Sequence, residues 1–510
     1  MKSILLIYPP LVKACEPPVG IARLAACVRH QGVHCDLWDA NLEGQMALLQ
    51  LSAPTGQDLP RTRQARSRMQ EDLDFLRHPD GYSSFDRYQL AVHRLNHLMR
   101  VAAKPFSCTA GLADFLHQRL QPVASDDLLQ AAEHPEELPF HAFFQEQLQS
   151  RLAQNSPDLI GLSLNYLSQA LCGFSLIGTL RRLMPRVPVM LGGGLITSWM
   201  CRPGWRNPFA GLVDDLVAGP GETALLQRLN IADPPAAVTP DYDPLPLRSY
   251  FSPGLTLPYS ASFGCYWNHC AFCPEKSEGR RFQPESMNRI STDLETLVDR
   301  YHPRLLHLTD NALSPRLLHH LIDHPPHAPW YGFTRITAAL TDADFCRSLK
   351  KAGCVMLKLG VESGDDDVLH GMNKGHTVAL ASSVLQQLHR AGIATFVYLL
   401  FGTPWEDESA AQATLEFVVR HQREITFINP AIFNQPIEAE QSVQPFYSGD
   451  LSLYTDYEHP RAWSRGRVRR FLDRSFKRQP AVAAILRRTP PFFTSNHAPF
   501  FCEQEDWPNK

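Results

Sequence analysis

Cysteine is scarce in this sequence, with 12 residues in a chain of 510. That number is too low for a disulfide scaffold and fits a reducing compartment, so we expect a cytoplasmic protein. Charge of one sign is not in excess either, because the formal net charge is −3 at pH 7. No global field would recruit nucleic acid or a membrane surface, and we predict no nucleic-acid partner from composition.

Long hydrophobic runs are also lacking. No window of about 18 uninterrupted apolar residues occurs, so no membrane span is predicted. The apolar segment Ser3–Tyr8 is followed at once by Pro9 and Pro10, too soon for the hydrophobic region and cleavage site of a secretory signal. With 44% hydrophobic and 20% charged residues, the chain has the composition of an ordinary globular protein. Its length predicts about two to four domains.

Three of the few cysteines stand close together, as the C-x4-C-x2-C triplet Cys265, Cys270 and Cys273. The triplet directly follows a short apolar run that begins at Leu257, so all three thiols can face one point. Thiolates bind soft metals and are the usual ligands of iron–sulfur clusters. A [4Fe–4S] cluster normally takes four cysteines, so three would leave one iron open to a small molecule. The alternative is structural zinc with His269 or another cysteine as fourth ligand, although zinc sites more often have two C-x2-C pairs.

The first part of the chain alternates short apolar strands with helical patterns. The predicted strands are Ser3–Tyr8, Val33–Trp38, Asp158–Leu164, Val187–Leu191 and Leu212–Ala218. With helices predicted at Gly20–Arg29 and Leu171–Leu183, this is the pattern of an α/β doubly wound parallel sheet. Such a sheet binds its ligand at the carboxyl ends of the strands.

Residues 43–154 interrupt this domain with a predicted helical insertion, carrying helices at Gln70–Arg77, Phe85–Ala103 and His141–Leu152. We assign residues 1–230 to the first domain and the Pro- and Asp-rich residues 231–249 to a linker.

From Leu257 the chain repeats strand and helix six times. The predicted strands are Leu257–Phe263, Leu305–Thr309, Trp330–Ile336, Val355–Val361, Thr395–Phe401 and Ile425–Phe433. The repeat predicts a partial (β/α)6 barrel over residues 250–434, with a full eight-unit barrel as the alternative. Residues at the carboxyl ends of barrel strands are the candidates for chemistry, and Asp310, Arg335 and Glu362 stand at such positions.

Residues 435–510 form a predicted C-terminal extension. Its segment Arg465–Arg488 is basic, with an apolar face that carries Val468, Phe471, Leu472 and Phe476. Basic amphipathic helices can bind nucleic acid or anionic lipid. We favour the alternative, a solvated face packed across the mouth of the barrel.

The cysteine triplet, with Phe272 before its last cysteine, resembles that of the radical SAM enzymes, whose commonest spacing is C-x3-C-x2-C. The segments Gly360–Gly364 with Met372–Gly375, and Phe401–Glu406, are similar to the fourth-strand and fifth-strand signatures of that family. The resemblance implies that the three cysteines hold a [4Fe–4S] cluster whose open iron is chelated by S-adenosylmethionine (SAM). It assigns the following residues to SAM binding: Phe272, Arg335, Glu362, Ser363, Gly402 and Pro404.

These assignments have structural alternatives. Glu362 and Ser363 could cap a helix that begins near Asp365, and Asp310 could cap the predicted helix Ser314–Leu321. Arg335 could form a structural ion pair.

The first domain resembles the cobalamin-binding domain that precedes many radical SAM cores. The resemblance assigns the following residues to cobalamin binding: Pro10, Gly20, Asn41, Ser163, Ser168, Gly192, Gly193, Gly194, Gly219, Gly221 and Glu222. The glycines would let the backbone approach a bulky corrin, although a glycine-rich turn is also a common way to enter a helix. The D-x-H-x-x-G motif, whose His ligates cobalt in other enzymes, is lacking. Cobalamin would therefore bind without that His, or the domain has lost the cofactor.

The resemblance implies a mechanism in which the cluster passes one electron to SAM, and the 5′-deoxyadenosyl radical abstracts hydrogen from an unreactive carbon. With methylcobalamin the substrate would gain a methyl group, so we predict a methyltransferase. The alternatives are radical cyclisation, oxidation or rearrangement with cobalamin auxiliary or absent, and a non-catalytic zinc- or cobalamin-binding protein. The expected partners are an electron donor such as flavodoxin or ferredoxin and a substrate that the sequence does not indicate.

Overall fold

The computed structural model describes residues 2–51, 59–232, 238–437 and 449–502, which form two compact units. The first unit is Met1–Leu255 with Pro445–Leu453, and the second is Thr256–Gln444 with Tyr454–Lys510. The predicted linker 231–249 belongs to the first unit, where Arg29 pairs with Asp241 at 2.5 Å. Parts of the predicted linker (233–237) and C-terminal extension (438–448 and 503–510) lie outside the described residues. The predicted domain limits stay predictions.

The first unit is built on a five-stranded sheet. Its strands are β1 (Ser3–Ile7), β2 (His34–Trp38), β3 (Leu159–Ser163), β4 (Val189–Gly192) and β5 (Asp215–Leu216). All neighbours pair in parallel, in the order β2-β1-β3-β4-β5. This confirms the predicted doubly wound sheet. The order reverses between β1 and β3, and that switch point is where such sheets leave a crevice for a ligand.

Burial explains why these segments form a parallel sheet. Every residue of β1 is buried, as expected for a central strand with both faces covered by helices. In the helix Leu167–Leu183 every residue from Gln169 to Leu180 is buried, so this helix is enclosed by the rest of the unit. The other helices of this α/β layer are Val19–His30, Gly194–Met200 and Glu222–Arg228.

The insertion is helical, as predicted. Its helices are Ala40–Leu51, Pro60–Ser67, Met69–Arg77, Phe85–Ala103, Ser125–Glu133 and His141–Gln154, and Cys108–Ala110 pairs with Phe115–His117 in a small hairpin. It packs closely on the α/β layer, because a Cβ at Gly178 would lie 1.9 Å from the Ala132 carbonyl oxygen. Residues from late in the chain complete this region: Asp450 accepts a hydrogen bond from the Ser125 N–H at 2.8 Å.

The second unit is built on a six-stranded sheet. Its strands are β6 (Thr256–Tyr259), β7 (Leu305–Leu313), β8 (Trp330–Thr334), β9 (Cys354–Glu362), β10 (Ala394–Phe401) and β11 (Phe427–Ile432). All pair in parallel and in sequence order, so each crossover leads to the adjacent strand. This confirms the predicted partial (β/α)6 barrel, and within the described residues the sheet has six strands rather than eight.

The helices that connect the strands of this sheet begin at side-chain caps. They are Met287–Tyr301, Pro315–Asp323, Ala343–Lys351, Asp366–Gly371, Val378–Arg390 and Glu408–Arg420. The capping side chains that accept a backbone N–H are Ser286, Ser314, Asp342, Asp365, Thr377 and Asp407. Each such cap is worth about 1 kcal/mol. Ser314 caps the helix Pro315–Asp323, for which the sequence had suggested Asp310, and Asp365 caps the helix Asp366–Gly371, for which it had suggested Glu362. The carboxylates of Asp310 and Glu362 are therefore available for other roles.

The C-terminal segment packs within the second unit. It contains Arg465–Phe471, a π-helical turn at Leu472–Phe476, and helices Pro480–Arg488 and Thr494–His497. The predicted apolar face is buried: Val468 lies against Gly402, and Phe471 and Phe476 pack on Phe401 at the end of β10. In the part of the chain described, no helix is long and apolar enough to cross a membrane.

Candidate active site

The cysteine loop has a closed base. Ser262–Phe263 pairs antiparallel with Gln283–Pro284 on either side of the loop. Gly264 turns the chain there with φ of 73°, and a Cβ would lie 2.7 Å from the Arg281 carbonyl oxygen, so only glycine fits. Asp310, from β7, accepts hydrogen bonds from the Ala261 N–H at 3.1 Å and from the Ser262 hydroxyl. Burial raises the pKa of Asp310 to about 6.

The cysteine loop is fastened to the segment that follows β9. The Ala271 N–H donates to the Met372 carbonyl at 2.9 Å, and the Asn373 side chain donates to the His269 carbonyl at 3.2 Å. Cys270 is buried, while Cys265 and Cys273 are half-buried. Burial raises the pKa of the Cys273 thiol to about 11, so metal binding there would release a proton.

The donor set of the loop is three cysteine thiols, Cys265, Cys270 and Cys273. Thiolates are the usual ligands of iron–sulfur clusters, in which each cysteine binds a different iron, so the three thiols fit such a cluster. A structural zinc ion would need a fourth ligand in addition to these three.

The end of β9 carries a buried charged pair. Glu362 Oε1 lies 2.7 Å from Lys374 Nζ, and the Lys374 ammonium also lies 5.3 Å from the centroid of the Phe272 ring. Ser363 is fully buried, with its hydroxyl 3.2 Å from Thr414 Oγ1 and accepting the Asp365 N–H at 3.2 Å. Ser363 is thus engaged in holding the strand end, while Glu362 is held by Lys374, which the sequence prediction had not assigned a role.

Arg335 connects the cysteine loop with the segment after β9. Its Nη1 lies 3.4 Å from Cys270 Sγ, and its Nη2 donates to the Lys374 carbonyl oxygen. Its guanidinium carbon lies 4.4 Å from the centroid of the Trp267 ring. The structure therefore places Arg335, predicted to bind SAM, against a candidate cluster ligand.

The end of β10 is held by Glu406, which is fully buried. Its Oε2 accepts hydrogen bonds from the Gly402 N–H and from Trp463 Nε1, the latter at 2.8 Å. Burial raises the pKa of Glu406 to about 7. Gly402 has φ of 79°, and Pro404 is half-buried in the same turn. The sequence prediction included Glu406 in the fifth-strand signature without giving it a role.

His376 is a further buried polar side chain near the end of β9, and the sequence gave no signal for it. Burial, together with the charges of Lys374 and Arg335, lowers its pKa to about 3, so the ring is neutral. A neutral imidazole therefore lies close to the cations Lys374 and Arg335.

Several of the candidate cobalamin residues of the first unit lie at the carboxyl ends of its parallel strands. Ser163 ends β3, Gly192 ends β4, and Pro10 follows β1. A Cβ at Gly20 would lie 4.0 Å from Ser163 Oγ, and the Gly194 N–H donates to Asn165 Oδ1 at 2.8 Å. The carboxyl ends of β1, β3 and β4 therefore lie at the same edge of the sheet, because these strands are parallel.

This edge of the first unit is open and rich in bare backbone. Gly20 is exposed, and the neighbouring Tyr166 is 58% exposed. Gly193 has φ of 105°, and a Cβ there would lie 2.3 Å from the Leu164 carbonyl oxygen. Gly193 is therefore required by close packing on Leu164, and the three half-buried glycines present backbone rather than side chains to a ligand such as a corrin.

Two of the candidate cobalamin residues are engaged inside the first unit. Asn41 is buried and accepts hydrogen bonds from the Val12 N–H at 2.9 Å and from Gln45 Nε2 at 3.1 Å. Glu222 is buried and pairs with Arg23 at 2.6 Å. Both therefore hold loops in place.

The three remaining candidate cobalamin residues are Ser168, Gly219 and Gly221. Ser168 is half-buried in the first turn of the helix Leu167–Leu183. The Gly219 N–H donates to Thr197 Oγ1 at 2.9 Å, and a Cβ at Gly221 would lie 3.3 Å from Leu24.

Residues 259–418 match the family model described as the Radical SAM superfamily. The range contains the three cysteines, the end of β9 and the end of β10. The chain therefore contains a radical SAM domain, the class of domain that the sequence predicted. This confirms SAM and a [4Fe–4S] cluster as its cofactors.

Curated relatives match parts of the chain. It is 23% identical over 192 residues to "Uncharacterized methyltransferase PH0819" of Pyrococcus horikoshii, covering 35% of this chain and 40% of that protein. It is 23% identical over 239 residues to the "Anaerobic magnesium-protoporphyrin IX monomethyl ester cyclase" of Cereibacter sphaeroides, covering 44% and 38% respectively. The chain thus spans less than half of the length of either relative.

A solved structure matches most of the chain. It is the radical S-adenosylmethionine methyltransferase TsrM from Kitasatospora setae, with cobalamin and a [4Fe–4S] cluster bound. The TM-score is 0.52 at 15% identity, covering 85% of this chain and 76% of TsrM. The likeness confirms the predicted fold, an α/β domain followed by a radical SAM barrel.

Proposed function

We propose that this protein is a radical SAM methyltransferase that uses cobalamin to methylate an unactivated carbon. The observation that carries the proposal is the presence of two candidate cofactor sites in one chain. One is the three-cysteine loop of the radical SAM domain, and the other is the glycine-rich edge at the switch point of the doubly wound sheet. The TsrM structure, which has the same fold over 85% of this chain, is of a methyltransferase with both cofactors bound.

When bound, the cluster and SAM supply the radical that removes a hydrogen atom, and cobalamin supplies the methyl group. The chain's own residues bind and orient these groups. Cys265, Cys270 and Cys273 would ligate the cluster as thiolates. Glu362 would accept hydrogen bonds from SAM, because Lys374 holds its carboxylate at the carboxyl end of β9.

In the first unit, the backbone of Gly192–Gly194 would bear the corrin. Ser163 pairs with Gly192 on the adjacent strand, and a Cβ at Gly20 would lie 4.0 Å from the Ser163 hydroxyl oxygen, so these two residues would limit the position of the corrin. The reaction requires an external one-electron reductant, for which we propose a flavodoxin or a ferredoxin. An oxygen-sensitive cluster needs a reducing compartment, so we place the protein in the cytoplasm.

Anaerobic purification, followed by reconstitution with iron, sulfide and hydroxocobalamin, tests the proposal. We expect about four irons per chain and about one cobalt. After addition of SAM and a reductant, S-adenosylhomocysteine should accumulate beside 5′-deoxyadenosine. Iron without cobalt would reject the methyltransferase proposal, and zinc without iron would reject radical SAM chemistry altogether.

A second candidate is radical cyclisation, oxidation or rearrangement with cobalamin auxiliary or absent. The match with the cyclase favours it, since it covers 44% of this chain against 35% for the methyltransferase relative. This candidate predicts 5′-deoxyadenosine without S-adenosylhomocysteine in the same assay.

A further inference from the structure

The first gap of the cysteine triplet contributes a tryptophan with defined contacts. Trp267 lies between Cys265 and Cys270, and its Nε1 donates to the Asn373 carbonyl at 3.2 Å. Its ring packs flush on Gly375, where a Cβ would lie 2.4 Å from Trp267 Cζ2. The four-residue gap therefore places an aromatic ring between the cysteine loop and the segment after β9.

The ring of Trp267 covers the guanidinium of Arg335. The distance from Arg335 Cζ to the ring centroid is 4.4 Å, within the range of a cation–π contact. Arg335 Nη2 donates to the Lys374 carbonyl, and Nη1 lies 3.4 Å from Cys270 Sγ. Arg335 is 5% exposed and Cys270 is 7% exposed. Two contacts thus fix the guanidinium so that an N–H points at a buried sulfur.

This geometry has an electrostatic consequence for a cluster on Cys270. One-electron reduction adds a negative charge to the cluster, and hydrogen bonds to its sulfurs together with nearby charge set its reduction potential. A cation and an N–H donor at the ligand sulfur stabilise the reduced form, and burial strengthens both effects. The charge of Lys374, whose carbonyl Arg335 contacts, is balanced by its ion pair with Glu362, and Arg280 of the cysteine loop is paired with Glu275 and Glu278.

We propose that Arg335, held in place by Trp267, raises the reduction potential of the cluster and so makes it easier to reduce. Arg335 acts through the ligand Cys270 and is therefore a positioning and tuning residue. The inference rests on the proposed function, because it requires a [4Fe–4S] cluster on the three cysteines. It gives Arg335 a different role from the SAM contact that the family resemblance implied.

An EPR-monitored redox titration of the reconstituted full-length protein, without SAM, tests the proposal. Arg335→Gln removes the charge, and we expect it to lower the equilibrium constant for one-electron reduction about tenfold, a shift of about 59 mV to more negative potential. Arg335→Lys keeps the charge and should restore part of the shift. Trp267→Leu keeps the Arg335 guanidinium but removes the aromatic ring that packs on it. We expect this variant also to have a more negative reduction potential, by a smaller amount than Arg335→Gln.

The matched control is Arg347→Gln, which makes the same change of charge at an exposed position on the helix Ala343–Lys351. It should leave the potential unchanged. Arg335→Gln with full iron content and an unchanged potential would overturn the inference, and a loss of SAM affinity alone would return Arg335 to SAM binding. If Arg335→Gln fails to assemble a cluster, Trp267→Leu decides: full iron with an unchanged potential would also overturn it. A wild-type protein without iron would instead reject the proposed function.

Discussion

Glu362 and Lys374 form an ion pair whose side chains are only 10% and 5% exposed, at the carboxyl end of β9. Glu362 adopts a left-handed backbone with φ of 66°, which is uncommon for a residue other than glycine. Such a conformation costs about 1–3 kcal/mol and is found preferentially at functional sites. The pair therefore holds a carboxylate in a strained but fixed position at the end of a barrel strand.

Replacing Glu362 by Gln should weaken SAM binding while the cluster remains. The loss of one hydrogen bond to a charged group is worth about 1.5–3 kcal/mol, so the dissociation constant of SAM should rise about 10- to 150-fold. Equilibrium dialysis with the reconstituted protein measures this. Glu416→Gln, at an exposed position of the helix Glu408–Arg420, is the control. Unchanged SAM affinity in Glu362→Gln would show that the pair only stabilises the strand end.

Removing any one cluster cysteine should abolish cluster assembly. Each of Cys265, Cys270 and Cys273 would be the sole protein ligand of one iron, so its Ala variant should contain little iron or sulfide after reconstitution. The control is Cys346→Ala, which removes a buried cysteine on a helix of the same unit. Normal iron content in any of the three variants would reject that ligand, and low iron in the control would point to misfolding.

Glu406 should make the stability of the second unit depend on pH. Its pKa is raised from 4.5 to about 7 by burial, so the folded protein keeps a proton that the unfolded chain has released between these values. The free energy of unfolding should therefore fall as pH rises through this window and level off above it. Glu406→Gln has no such proton, and its stability relative to the wild type should increase with pH by up to about 3 kcal/mol.

Urea unfolding at a series of pH values from 4.5 to 8 tests the prediction for Glu406. Comparison with the wild type cancels the contributions of Asp39 and Asp310, whose pKa values burial also raises to about 6. Parallel stability curves for the wild type and Glu406→Gln would contradict the prediction.

Filling the exposed position at Gly20 should weaken cobalamin binding without unfolding the first unit. Within 4 Å a Cβ there would meet only Ser163 Oγ, at 4.0 Å, so we expect Gly20→Val to fold, yet it would place methyl groups at this edge of the sheet. We expect the dissociation constant of hydroxocobalamin to rise at least about tenfold, as 1.4 kcal/mol of lost contact would cause. Spectrophotometric titration measures this.

His30→Val is the matched control for Gly20→Val, because it changes an exposed residue at the opposite end of the same helix, Val19–His30. Its affinity for hydroxocobalamin should equal that of the wild type. Equal affinity in Gly20→Val as well would remove this edge from the candidate cobalamin site.

Local patterns in the sequence were enough to predict the strands of both sheets and their parallel arrangement. Apolar runs and glycine turns gave β1 to within one residue, as Ser3–Ile7. The fifth strand was predicted as Leu212–Ala218, but only Asp215–Leu216 pairs. Gly211 turns the chain just before this strand, with φ of 88°. The Asp214 carboxylate accepts hydrogen bonds from the Val189 N–H and from the Arg181 side chain. The strand lies at the edge of its sheet, where short pairing is common.

The contacts of the candidate site depend on the tertiary fold and left little trace in local sequence. Arg335 reaches Cys270 across 65 positions of the chain, and Tyr250 donates to Asp39 across 211. No periodicity encodes such pairs, because each depends on where a strand end arrives in the folded sheet. Lys374 was within reach of prediction, since it belongs to the same segment, Met372–Gly375, that resembled the family signature.

The return of residues 449–453 to the first unit sets the order in which the nascent chain can be completed. Asp450 and Leu451 hydrogen-bond to Ser125 and Val123, yet they are synthesised about 200 residues after Leu255. At about 5–20 residues per second, the ribosome needs roughly 10–40 s to make that stretch. During this time the Val123 carbonyl and the Ser125 N–H lack these hydrogen-bond partners. The first unit is therefore finished only when most of the second has also emerged.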